Sequence, residues 1–144
     1  MFSSSQASRS GGVAVLVRRN LPFLITECVE DQNGPYVMTK GSLQSSTISI
    51  LNVYHPPAPP SDLISKVFLD FTQIHSDVAI AGGDFNGVMN PLIDSFPHRV
   101  MPLSPQAQSL KSGCEELRFV DVWRTIHPID EDETVFSSTT HTSH

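Results

Sequence analysis

Cysteine is nearly missing from this chain. Cys28 and Cys114 are the only two, far apart and outside any Cys-x-x-Cys or Cys/His cluster. That excludes a disulfide framework and a structural zinc site, and it reads as two reduced, partly buried thiols. Basic residues are scarce as well. Nine Lys and Arg face fifteen Asp and Glu, which gives a formal charge of −6 and a pI near 5.3. A chain so charged is a poor non-specific binder of nucleic acid, because phosphate contacts draw on a surplus of Lys and Arg. Any nucleic-acid chemistry must then rest on a built site. Long apolar runs are missing too. None approaches the roughly 18 residues of a membrane span, and the opening MFSSSQASRS holds no apolar signal core. The expectation is a soluble, intracellular chain without membrane attachment.

What is there amounts to 144 residues and 15.8 kDa, the size of a single domain. A hydrophobic fraction of 39% is still enough to bury a core, so wholesale disorder is not expected. Residues 1–10 read as a disordered, serine-rich lead-in that frays. Residues 11–17 (GGVAVLV) are a short β-branched run that favours a buried strand. Residues 23–30 make a second strand. Asp31 to Gly34 supply a turn, and residues 35–40 return as the other arm of a hairpin. Residues 46–54 (STISILNVY) are the clearest strand: Ile48, Ile50, Asn52 and Tyr54 share one face, Leu51 and Val53 the other. Apolar residues on both faces place it between two layers.

The run His55-Pro56-Pro57-Ala58-Pro59-Pro60 cannot continue a central strand or a helix, since each proline lacks an N–H. Ser61 or Asp62 offers a helix cap. Beyond it Leu63, Ile64, Val67, Phe68, Phe71 and Ile74 recur at helical spacing. Residues 77–81 (DVAIA) read as a further buried strand broken at Gly82-Gly83, and residues 85–102 as loop or short irregular pieces. Ser104-Pro105 opens a second helix through about Leu117. Trp123 reads as core. A strand meander followed by looser alternation with helices predicts an α/β sandwich with a largely antiparallel or mixed sheet.

Three polar groups stand at strand ends. Asn52 and Tyr54 alternate at the end of an apolar strand. Asp84 and Asn86 alternate directly after Gly82-Gly83, where a phosphate could approach the backbone closely. Asp121, Arg124 and His127 interrupt a third apolar run. Taken alone, each has a plainer explanation: a tight turn for Asp84 and Asn86, a half-buried strand aromatic for Tyr54, backbone hydrogen bonding for Asn52. His127, His141 and His144 lack zinc-site spacing. The prolines could form a polyproline II ligand, although a rigid strand-to-helix connection suits their position better.

NVYHPP and GGDFN, in that order with an amphipathic helix between them, resemble the endonuclease/exonuclease/phosphatase superfamily. FVDVWR with His127-Pro128, and then Thr134-Val135-Phe136-Ser137, is similar to the apurinic-type endonuclease domain of LINE-like non-LTR retrotransposons. The resemblance implies a four-layered α/β/β/α sandwich (DNase I-like) that cleaves DNA phosphodiesters with Mg²⁺, and it implies nuclear action, for which no targeting signal stands in the sequence. It implies roles by position. Asp84 takes a proton from the attacking water. Asn86 orients that water or holds the phosphate. Tyr54 donates to the phosphate, Asn52 supports the strand end, and Thr134 helps frame the substrate, with Val135 in place of the family's aromatic. The chemistry is coherent, because an anionic ester needs its charge offset and a water aimed in line.

The family's metal-binding Glu lies before the segment resembling SGGVAVLV, and its closing Asp-His pair lies after the threonine motif. Neither has a counterpart here, so no metal ligand is assigned. The chain therefore reads as the central piece of the domain (residues 11–144), incomplete at both ends and weak or inactive by itself. The alternative is a non-catalytic remnant or interaction module of the same fold. No protein partner is indicated.

Overall fold

The structure is a computed structural model and describes residues 2–5, 12–31, 34–56, 63–94 and 101–129. Strands β1 (Phe2–Ser5) and β2 (Gly12–Val15) pair antiparallel in a two-stranded sheet. Residues 2–5 thus depart from the fraying expected of them. Their ladder from Phe2↔Val15 to Ser5↔Gly12 gives the backbone hydrogen-bonding partners, a gain that does not depend on which side chains the strand carries.

Strands β3 (Phe23–Glu30), β4 (Tyr36–Leu43) and β5 (Ser46–Tyr54) run as an antiparallel meander. Helix α1 (Leu63–Thr72) then carries the chain to β6 (Val78–Asp84), which joins β5 in parallel. The sheet order is β3-β4-β5-β6, so the sheet is mixed, as the meander predicts. Unlike the expected strand, β6 does not break at Gly82-Gly83 but runs through both to Asp84. Nor is it buried: Val78 is 45% and Ile80 49% exposed. Among the described residues it is the outermost strand, with a neighbour on one side only, and its apolar letters do not encode that position.

One face of the sheet receives the helices. Leu63, Ile64, Val67, Phe68 and Phe71 fall on one side of α1 and, with Ile74, pack on Tyr36, Met38, Leu51 and Val53. After a short helix, α2 (Pro91–Asp94), helix α3 (Pro105–Glu116) adds Leu110 to this core. Ser104 caps α3 by accepting the Ala107 N–H at 3.1 Å. Gly113 lets α3 approach α1, since a Cβ there would lie 2.3 Å from Cδ2 of Phe68. The helix ends with Arg118 in the left-handed region (φ 55°). The Phe119 N–H then reaches the Cys114 carbonyl at 2.8 Å and the Arg118 N–H that of Glu115 at 3.2 Å, a Schellman ending. That ending turns the Phe119 ring onto Phe68 and Phe71, with centroids 6.0 and 6.2 Å away.

The other face is covered by β2. Val13 and Val15 pack on Val37, with Val17, Cys28, Ile50 and Tyr54 around them. The described elements therefore stack as helices, four-stranded sheet and two-stranded sheet. Both thiols are half-buried and free, and burial pushes each above the ordinary cysteine range, which keeps them protonated. Trp123 is not core. It lies in helix α4 (Val122–Ile126), 48% exposed, stacked on His127 at 4.0 Å. Asp121 caps that helix through the Arg124 N–H at 2.9 Å, so the apolar run around Trp123 is diverted into a short surface helix. No helix among the described residues is long and apolar enough to cross a membrane.

Candidate functional site

A parallel pair of strands brings two carboxyl ends to the same edge of a sheet, and partners in register point their side chains to the same face. Between β5 and β6 the register is Ile50↔Ile80, Asn52↔Gly82 and Tyr54↔Asp84. Asn52, Tyr54 and Asp84 therefore share the face that β2 covers. The step to Asp84 is possible because Gly83, at φ 135°, lies so close to Val53 that a Cβ would fall 1.9 Å from its carbonyl oxygen. At Gly82 the reverse holds: a Cβ would meet nothing within 4 Å, so the space beside Asn52 is open.

Beyond Asp84 the chain turns back on itself. The Asn86 N–H donates to Oδ1 of Asp84 at 3.0 Å, an Asx turn, and Asn86 adopts φ 45°. Its side-chain nitrogen donates to the main-chain carbonyl of His55 at 2.7 Å. In return the His55 N–H donates to the Asp84 carbonyl at 2.7 Å. Two hydrogen bonds thus sew the two strand tips together, and a third closes the Asp84–Asn86 turn on itself. Asp84 and Asn86 remain exposed, while Tyr54 is half-buried beneath the β2 hairpin.

Four of the five residues that the sequence singles out come from these two neighbouring strand ends: Asn52, Tyr54, Asp84 and Asn86. Thr134 lies outside the described residues. Asn52 is engaged within the fold, where its side-chain nitrogen donates to the Ala14 carbonyl at 2.9 Å and ties β5 to β2. The third polar group serves local structure. Asp121 is a helix cap, Arg124 pairs with Asp94 of α2 and donates to the His127 carbonyl at 3.0 Å, and His127 stacks on Trp123.

Sequence reasoning missed His55, which it read as the first residue of the proline run. Its side chain is 2% exposed, and Nδ1 is buried with no hydrogen-bond partner. Burial pushes the imidazole below its ordinary value of 6.5, and the Asp84 carboxylate partly offsets that. The available signal was the alternation itself: two residues past buried Val53, position 55 falls on the same inward face.

For the Mg²⁺ that the resemblance implies, the donor set is thin. The described residues contain no group of three or more His, Cys, Asp or Glu able to hold a metal ion. Asn52, Tyr54, Asp84 and Asn86 include one carboxylate between them, so a Mg²⁺ held there would draw most of its octahedral oxygen shell from water and substrate. What the arrangement offers is an exposed carboxylate, a carboxamide and a phenol beside an open space. No protein-family model matches the chain.

Proposed function

We propose that this chain carries the central part of a phosphodiester-cleaving domain of the endonuclease/exonuclease/phosphatase type, built on a four-layered sandwich and acting on DNA. The observation that carries the reading is the Tyr54↔Asp84 register, with Asn86 bonded to the same tip. Three residue types suited to an anionic ester then meet at one sheet edge, next to the room left at Gly82.

In this reading Asp84 accepts the proton of the attacking water. The Asn86 carboxamide is held in one orientation by its bond to His55, and its oxygen aims the water. The Tyr54 hydroxyl donates to a non-bridging phosphate oxygen, offsetting charge that grows in the transition state. Asn52 braces the strand end through Ala14. No step is assigned to Mg²⁺. With a formal charge of −6, substrate contact depends on these few donors, so binding is expected to be weak and its salt dependence shallow.

The single carboxylate favours a second reading, in which the fold persists as a remnant or interaction module without turnover. A plasmid-nicking assay with Mg²⁺ and an oligonucleotide-binding measurement separate the two. The expected result is weak nicking that disappears in Asp84→Ala, and binding that weakens in Tyr54→Phe. Nicking that survives Asp84→Ala, or the absence of both nicking and Tyr54-dependent binding, overturns the hydrolase reading.

A further inference from the structure

Helix α4 turns its apolar side outward. Val122 and Ile126 lie one turn apart, and Trp123 shares their side of the helix. All three are exposed, Val122 at 65% and Ile126 at 66%. Arg124, on the opposite side, reaches into the fold to pair with Asp94 of α2. Val120, Ile129 and Leu92 of α2 are exposed as well. A lone apolar residue at a surface calls for no explanation. A run of them around the only tryptophan of the chain does, because such patches anchor protein contacts.

The charge of the chain gathers around the same helix. Residues 115–133 hold seven carboxylates against Arg118 and Arg124, whereas the remaining residues hold eight acidic and seven basic side chains and are nearly neutral. Before α4, Glu115 and Asp121 stand close enough to raise the Cys114 pKa. After it, Asp130, Glu131, Asp132 and Glu133 follow Ile129 directly in sequence. Arg124 is already paired, which leaves Arg118 to offset them. An acidic rim repels nucleic-acid phosphates and anionic lipid, and it repels a second copy bearing the same rim. It suits a cationic partner.

We propose that the outward face of α4 docks a partner protein through an amphipathic helix whose apolar side is flanked by lysine or arginine. The apolar anchors of that helix close over Trp123 and Ile126, and its cations meet the carboxylates before and after α4. None of these residues belongs to the strand-tip site, and the inference holds whether or not that site cleaves phosphodiesters.

Trp123 reports on this surface without interference, since the chain has no other tryptophan. The probe is a tryptophan-free synthetic helix with leucines on one side and lysines along its flanks, titrated into the full chain. The expected result is Trp123 emission that moves to shorter wavelength and resists acrylamide quenching, with an affinity that falls as salt is raised. Val122→Ser combined with Ile126→Ser, both at exposed positions, should weaken binding about tenfold or more. The charge variant Asp130→Asn, Glu131→Gln, Asp132→Asn and Glu133→Gln should also weaken it and flatten its salt dependence. No response of Trp123, equal binding of a glutamate-flanked peptide, or binding that either variant leaves untouched overturns the proposal. So does a Trp123 already shielded in the free chain, whether by a second copy or by the chain's own residues. A response to an oligonucleotide or to anionic vesicles in place of the lysine peptide overturns it too.

Discussion

Gly83 and Val53 approach so closely that a methyl group on Gly83 would lie 1.9 Å from the Val53 carbonyl oxygen. The contact joins the last turn of the β5–β6 ladder to the residue that presents Asp84, and φ at Gly83 is 135°, a conformation that suits glycine. Gly83→Ala is therefore expected to lower stability by about 2 kcal/mol or more, through strain and a forced shift of the strand tip. Urea denaturation of the variant beside wild type checks this. An unchanged midpoint would show that the strand tip yields without penalty.

The neighbouring glycine should behave in the opposite way. A Cβ at Gly82 meets nothing within 4 Å, and the residue lies in a strand. Gly82→Val is expected to leave stability within about 0.5 kcal/mol of wild type, because valine suits extended backbone and has space. If the open space beside Asn52 receives substrate, the same variant should lose oligonucleotide binding although it folds. A stable variant that binds as well as wild type would remove that space from the site.

Alkaline conditions test the helix-to-sheet contact. The Tyr36 hydroxyl donates to Asp70 of α1 at 3.0 Å, and burial, followed by that bond and the carboxylate charge, pushes its pKa up to about 12. The folded value lies above the ordinary tyrosine value of 10.0. The contribution of this group is thus complete below pH 10 and is lost as pH rises through about 12. Phenolate absorbance should show a late component that is missing in Tyr36→Phe and moves to lower pH in Asp70→Asn. A Tyr36 that ionises with an exposed tyrosine would contradict this packing.

Much of this architecture was legible in the sequence because it is written in local periodicity. The alternation in residues 46–54 separates Leu51 and Val53 from Ile50, Asn52 and Tyr54, and the two cores divide along that line. The helical spacing from Leu63 to Phe71 names the face that α1 buries. Legibility fails where a residue's surroundings come from distant parts of the chain. Val78 and Ile80 read as buried because nothing near them says that β6 has one neighbour among the described strands. Arg118 carries a left-handed helix ending that glycine usually announces, so the turn that brings Phe119 into the core has no local sign. His55 was hidden by the prolines after it, although counting two beyond Val53 leads inward. For the site, the alternating pairs Asn52/Tyr54 and Asp84/Asn86 were readable. Their meeting depends on the parallel register, which no single segment contains.

That register also bears on the order in which the molecule comes together. Across β4 and β5 the first partners, Leu43 and Ser46, are nearly adjacent in the chain, whereas every pair joining β5 to β6 is thirty residues apart. Zipping a short hairpin is fast, while closing a long loop must await the helix that spans it. The meander of β3, β4 and β5 is therefore expected to form early and β6 to dock late. Tyr54 would wait on a finished edge for Asp84 to arrive, so that a nascent or partly refolded chain has most of its scaffold before it has any of its chemistry.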